Sequence, residues 1–375
     1  METEQKQSWM GNFCGAFADG AVLFPLIAAL TIKTGMNGTI LLATAGMTYI
    51  AAGFIFRAPM SVQPLKSVVV AAIVLGASAT EVGLSGFIVG ILCLILSFFA
   101  TDTLAAKVPR HLVHGLQMGL GIMLVSKGVE TGLTGDLYYQ VGFVVLALAA
   151  VMAAQSRASV LGWIALAGIA GGVITSLIYP EAPVKKLPAE TLSIRWDILA
   201  ALVLPQMALT LANSVVGTHD VALRYFGERA AKVTPARLLR SIGIGNMLAA
   251  PIGGFPFCHG AGGVTAHVRG GAHSWHMNLV IGGSLLALAL ISSLMATPLL
   301  PAYPPMLMGA LLAATGWFHL WLAKPSWEQR DTRIILILMG LTALASQNML
   351  WVLVAGVTGD FFRKCYHNYQ GARQS

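Results

Sequence analysis

Charge is what this sequence has least of. Only 10% of its 375 residues are Asp, Glu, Lys or Arg, against about 25% in soluble globular chains. So few charges cannot clothe a water-facing surface, which excludes a soluble enzyme or binding module. Cysteine is also sparse. Cys14, Cys93, Cys258 and Cys365 form no C-x-x-C pair, so neither a disulfide framework nor a metal site is expected. The residues Met1 to Trp9 lack a basic n-region and a small-residue cleavage site, so no signal peptide is expected. Glycine pairs such as Gly119 and Gly121 follow no strand and match no phosphate-binding fingerprint. Nucleotide-driven work is therefore not expected. Nor is enzyme chemistry or a cofactor, since no nucleophile–base pair or metal cluster stands in the apolar segments.

What the chain has is apolar sequence nearly end to end. It is 56% hydrophobic, with a mean hydropathy of +0.75. A membrane helix takes about 20 largely apolar residues. Cutting at charged and Pro/Gly-rich gaps gives fourteen candidate crossings. Seven lie near 11–31, 37–56, 59–77, 82–101, 111–127, 140–154 and 160–179. A polar linker, Pro180 to Arg195, precedes seven more near 196–217, 238–252, 255–272, 276–297, 303–321, 333–345 and 347–362.

The net charge of +8 tests this cut. With the N-terminus cytoplasmic, seventeen of the 23 Lys and Arg fall inside and five outside, with Lys66 within the membrane. That asymmetry is the positive-inside pattern, and it removes nucleic acid as the reason for the basic balance. Both termini are then cytoplasmic, and short loops suggest a bacterial inner membrane. Seven crossings per half put the second half in the membrane upside down relative to the first. Residues 1–190 and 191–375 are thus expected to be inverted repeats, a transporter architecture with its site near mid-membrane.

The third and tenth segments are irregular. In Arg57-Ala-Pro-Met-Ser-Val-Gln-Pro-Leu-Lys-Ser67, Pro59 and Pro64 remove amide donors and disfavour helix before them. Residues 59–64 should be extended, and a half-helix should start at Pro64 or Leu65. In Gly253-Gly-Phe-Pro-Phe-Cys-His-Gly-Ala-Gly-Gly-Val-Thr-Ala-His267, Pro256 breaks the chain and a second short helix should start around Gly260. Open amides and the positive end of the helix dipole make such termini anion sites. Lys66 adds charge where an unpartnered lysine costs about 2.5–3.5 kcal/mol. Its plain alternative is an ion pair with Asp19.

These residues resemble a known family. Pro59-Met-Ser-Val-Gln-Pro-Leu-Lys66 is similar to the P-x-P-V-Q-P-M-K motif of the molybdate transporters of plants, algae and bacteria. Phe255-Pro-Phe-Cys-His-Gly-Ala-Gly-Gly-Val264, with Arg269-Gly-Gly-Ala272 beyond it, resembles the second signature, P-x-C-H-G-S-G-G-L followed by R-F-G-A-R. Ala18-Asp-Gly-Ala-Val-Leu-Phe-Pro-Leu26 resembles the family's first span, and Leu204 to Ser214 its eighth. Ala261 stands in place of a serine, Gly270 and His273 alter the tail, and Ala18 replaces a glycine. The resemblance implies the fold of sulfate permeases. A core of spans 1–4 and 8–11 would move against a gate of spans 5–7 and 12–14, in a possible homodimer and without a soluble regulatory domain.

On these grounds the expected substrate is a tetrahedral oxyanion, molybdate first, carried by alternating access. Sulfate or another inorganic anion, and a passive anion channel, are the competing readings. The expected binding set is Gln63, Lys66, Ser67, Cys258, His259, Gly260, Ala261, Gly262, Gly263 and Asn213. Gln63 and Ser67 can donate to an oxyanion, or satisfy local backbone. The glycines admit close approach of a ligand or of a neighbouring helix. Asp19 and His259 are the candidates for proton coupling, His259 because its titration shifts easily across neutral pH, with packing as its plain alternative. His111 with His114, and His273 with His276, read as loop histidines rather than metal ligands.

Overall fold

A computed structural model describes residues 9–99, 109–156, 194–294 and 304–374, with scattered positions between 164 and 174. The expected seventh span and the linker after it lie almost wholly outside these residues. The described chain is nearly all helical. By length and composition, seven helical stretches could cross a bilayer, and Lys66–Leu75 and Leu137–Met152 are shorter apolar helices.

The first segment is not one helix. α1 (Trp9–Ala16) stops, three residues turn, and α2 (Gly20–Thr34) restarts with Asp19 as its N-cap residue. Together they form one stretch, Trp9–Thr34, long and apolar enough to cross, as expected near 11–31. The Asp19 side chain makes no cap hydrogen bond; the turn brings its carboxylate to the inside of the molecule, where it accepts from Gln63. α3 (Gly38–Phe56) is capped by the Asn37 side chain on the amides of Thr39 and Ile40.

The chain then runs extended to β1 (Gln63–Pro64) and α4 (Lys66–Leu75). α5 (Ala79–Phe98) opens with a capping box between Ser78 and Glu81. α6 (Arg110–Gly132) and α7 (Leu137–Ser156) follow.

The second half begins with α8 (Trp196–Leu209), which passes through a π-helical turn, Thr210–Gly217, into α9 (Thr218–Phe226). The expected end at 217 is therefore nine residues early. α10 (Pro235–Ala249) has Pro235 in its first turn and Thr234 as cap. β2 (Phe257–Cys258), α11 (Ala261–Arg269), α12 (His276–Leu294) and α13 (Pro305–Leu322) come next. A single turn, α14 (Lys324–Trp327), precedes α15 (Arg330–Ser346) and α16 (Met349–Gln374). α16 continues well past the expected 362.

Helices approach through glycine. Cβ atoms added at Gly46 and Gly282 would each strike the other's carbonyl, between α3 and α12. The same holds for Gly90 and Gly243 between α5 and α10, and for Gly121 and Gly316 between α6 and α13. Lipid gives no hydrophobic drive for helices to associate, so close backbone packing at small residues does that work.

Candidate functional site

The two irregular segments meet. β1 pairs antiparallel with β2, Gln63 opposite Cys258 and Pro64 opposite Phe257. The Leu65 amide donates to the Pro256 carbonyl at 2.9 Å. Each proline removes a donor and forces extension, so two strands too short to persist alone find each other in the protein interior. α4 and α11 leave this pairing at Lys66 and Ala261. With 10 and 9 residues, each is roughly 14–15 Å long, half of a bilayer core.

Neither helix is capped by its own N-cap side chain. Each is capped from the other half of the chain. The Ser67 amide donates to Gln206 Oε1 at 3.0 Å, and Gln206 is held by its own bond to Thr210. The Gly260 amide donates to Ser61 Oγ at 3.0 Å, while that hydroxyl donates to the Gly260 carbonyl at 2.8 Å. The other first-turn amides have no partner within their own helix.

Between these termini lies a cavity of about 70 Å³, lined by Asp19, Gln63, Lys66, Gly262, Arg269, Thr315, Phe318 and His319 among others. A water needs roughly 10–15 Å³, and drug-sized ligands roughly 300 Å³ or more. The space fits a small inorganic ion. A still smaller cavity of about 10 Å³ adjoins at Lys66 and His319 and is lined by Gln117, Gln206, Asn213, Ser214 and Cys258. The Lys66 side chain thus faces both.

Asp19 and Lys66 do not form an ion pair. Asp19 Oδ1 accepts from Gln63 Nε2 at 2.5 Å, leaving Oδ2 buried without a partner. Gln63 Oε1 and Ser67 Oγ are also buried and unpartnered. Groups of this kind cost about 1–3 kcal/mol each when unsatisfied, and they cluster where the two breaks cross.

The glycines of the second break divide the labour. A Cβ on Gly263 would fall 2.5 Å from Ser61 Cβ, 2.6 Å from Asp19 Oδ2 and 2.7 Å from Gln63 Nε2. One on Gly260 would strike Gln63 Oε1. These two glycines let α11 close onto α2 and β1. Gly262 instead lines the cavity, and a Cβ there would meet only the edge of Phe318, at 3.3 Å. Ala261 lines neither cavity.

His259 is not brought to the cavity. It is fully buried, with Nδ1 donating to the Ser61 carbonyl at 2.8 Å and Nε2 paired with Ser241 Oγ at 3.0 Å. Phe56 and Phe257 pack edge-on around it. Both nitrogens are spent on holding the second break, so packing is the reading its surroundings favour.

Sequence reasoning missed Arg269, Thr315, Phe318, His319 and Gln117. Arg269 sat inside a quoted motif. His319, a lone titratable residue in an apolar helix, was a signal of the same kind as Asp19. Its Nδ1 donates to the Thr315 carbonyl at 2.8 Å.

The profile of the family described as "Molybdate transporter of MFS superfamily" matches residues 11–124 and 199–318. The chain belongs to that family. Both breaks, Asp19, Gln206 and Asn213 lie within the matched stretches. Molybdate transporter 1 of Chlamydomonas reinhardtii is 22% identical over 437 residues, covering 84% of each chain. Molybdate transporter 2 of Arabidopsis thaliana is 23% identical over 400 residues, covering 92% of this chain and 85% of the relative.

Among solved structures, murine Slc26a9, described as an anion transporter in the inward-facing state, aligns with a TM-score of 0.67 at 12% identity. That alignment covers 97% of this chain and 69% of the other. In another SLC26A9 structure the chain spans only 65% of the length. The transmembrane domain of the cyanobacterial bicarbonate transporter BicA aligns at 0.61 and 16% identity, covering 93% and 97%. The fold is of the SLC26 type, as the motifs implied, although the profile's description carries the superfamily word MFS. This member of the molybdate transporter family is an integral membrane protein, and its family implies an oxyanion substrate.

Proposed function

We propose that the chain carries molybdate across the membrane as a secondary active transporter working by alternating access. The observation that carries this reading is the ion-sized cavity at the crossing of α4 and α11. It is lined by Gln63 and Lys66 at the start of α4 and by Gly262 in the first turn of α11. A tetrahedral dianion is matched by that arrangement of charge and donors. Lys66 is its principal ligand, with backbone of α11 at Gly262 and side chains of Gln63, Ser67 and Asn213 within the same crossing. Cys258, Gly260, Ala261 and Gly263 shape the second terminus.

Fourteen crossings in two inverted repeats are the architecture behind this proposal, and the packing supports it. Exchange of halves converts the α3–α12 contact into the α10–α5 contact, and returns β1–β2 and α6–α13 onto themselves. All four contacts occur. α6 and α13 then belong to the gate, and α13 supplies Thr315, Phe318 and His319 to the cavity wall. Motion of the gate would therefore open and close the site directly.

Asp19, with one carboxylate oxygen unpartnered at the cavity, is the group through which a proton gradient would couple. Both termini are assigned to the cytoplasm from the positive-inside count. A bacterial inner membrane is the compartment that the short loops suggest, while the named relatives are algal and plant proteins. A homodimer through the gate remains part of the proposal.

Radiolabelled molybdate uptake into proteoliposomes, with excess sulfate as competitor, tests the function. Saturable uptake resistant to sulfate is expected. Uptake of sulfate in its place would keep the site and overturn the substrate, and sustained single-channel current would overturn the carrier mechanism.

A further inference from the structure

A groove of about 700 Å³ runs between α3 and α10, away from the oxyanion cavity. On α3 it extends from Thr44 to Ile55, which in a helix is roughly 17 Å. One leaflet of a bilayer core is about 15 Å deep. Its walls are apolar and open: Ile55 is 43% exposed, Ile244 49% and Leu248 70%. Charge is confined to one end, where Lys232, Arg237 and Arg240 line it. All three are exposed, and no described carboxylate pairs with any of them. Arg240 alone has a partner, the Phe98 ring at 5.9 Å.

We infer that this groove seats an anionic phospholipid, with its phosphodiester on Lys232, Arg237 and Arg240 and an acyl chain along α3 and α10. The argument is one of complementarity. A small inorganic anion would satisfy the cations and leave the apolar slot bare. A zwitterionic lipid would fill the slot but bring its own cation to a basic rim. An amphiphile that is anionic at one end meets both requirements, and basic pockets between membrane helices are suited to such headgroups. The groove also reaches the back of the second break. Its wall includes Phe257 and Ser241, and the Ser241 hydroxyl is the one bonded to His259.

Native mass spectrometry of the full chain, released from nanodiscs containing phosphatidylglycerol or phosphatidylcholine, tests this. Wild type is expected to retain phosphatidylglycerol and shed phosphatidylcholine. Combined Lys232→Gln, Arg237→Gln and Arg240→Gln substitution should weaken retention on the order of a hundredfold, about fivefold per cation. Ala51→Trp, which fills the slot and leaves every cation in place, should also lose the bound lipid. The substituted residues are exposed, so both variants should melt with the wild type. Equal retention of the two lipids, or undiminished retention in either variant, overturns the proposal. So does displacement of phosphatidylglycerol by saturating molybdate, which would assign the cations to the substrate's path.

Discussion

The two helix breaks are alike in backbone and opposite in chemistry. α4 and α11 both leave a two-residue strand, both start without a cap of their own, and both are capped by a residue from the other half of the chain. Yet the first terminus brings side chains, Gln63, Lys66 and Ser67, while the second brings glycines. At the helix starts, the first break supplies a charged side chain and the second supplies room. A symmetric pair of lysines would have placed two like charges in one small cavity, which repulsion and desolvation both oppose. Division between the halves leaves one lysine at the crossing itself, with Arg269 of α11 as the second cation lining the cavity.

Removing the charge should have the largest effect. Lys66→Ala takes away one of the two Lys or Arg residues that line the cavity, Arg269 being the other. A charge-assisted hydrogen bond is worth about 1.5–3 kcal/mol, so apparent affinity for molybdate should fall about tenfold to a hundredfold. Concentration-dependent uptake measures it. Unchanged half-saturation in Lys66→Ala would move the anion elsewhere.

Removing the room comes next, and neighbouring glycines make the comparison internal. Gly263→Ala must push against Ser61, Asp19 and Gln63 at once. Overpacking of that kind costs about 1–3 kcal/mol, and the melting temperature and the uptake rate should both drop. Gly262→Ala meets only Phe318, so it should melt near wild type and alter affinity alone. Equal effects at both positions would mean that the second break has no division between packing and cavity.

Much of this was legible in the sequence, because proline and glycine act locally. Pro59, Pro64 and Pro256 fixed the extended stretches, and the helix starts fell within two residues of expectation. Lys66 and Asp19 stood out because ionisable groups in apolar segments need a reason to be there. What was not legible depended on partners far along the chain. Nothing near Gln206 says that it caps α4, 139 positions away. The bonds from His259 to Ser61 and Ser241, which favour packing over its ligand reading, also join residues 198 and 18 positions apart. The π-helical turn over Thr210–Gly217 follows Pro205 by five residues, inside a helix that the proline does not end. The contribution of α13 to the cavity follows from packing between segments, which periodicity does not encode.

Breaking the caps should produce smaller losses. Ser61→Ala leaves the Gly260 amide without its acceptor, and Gln206→Ala does the same to Ser67. Loss of a cap costs about 1 kcal/mol, so both variants should melt slightly early. Ser61→Ala also removes a donor to the Gly260 carbonyl, which makes it the worse of the two. A large loss from Gln206→Ala alone would show that this amide contacts substrate rather than merely holding α4.

The smallest expected effect belongs to His259, and it sharpens the contrast by assigning the proton. Its nitrogens bind the Ser61 carbonyl and the Ser241 hydroxyl, so it has no open position from which to exchange protons with the cavity. Asp19 has one, the unpartnered Oδ2. Asp19→Asn can still accept from Gln63 through its amide oxygen but cannot take up a proton. Uptake should therefore lose its response to an imposed pH gradient in Asp19→Asn and keep it in His259→Gln, whose rate should fall only as far as its packing is disturbed. The reverse pattern would move coupling from the first break to the second.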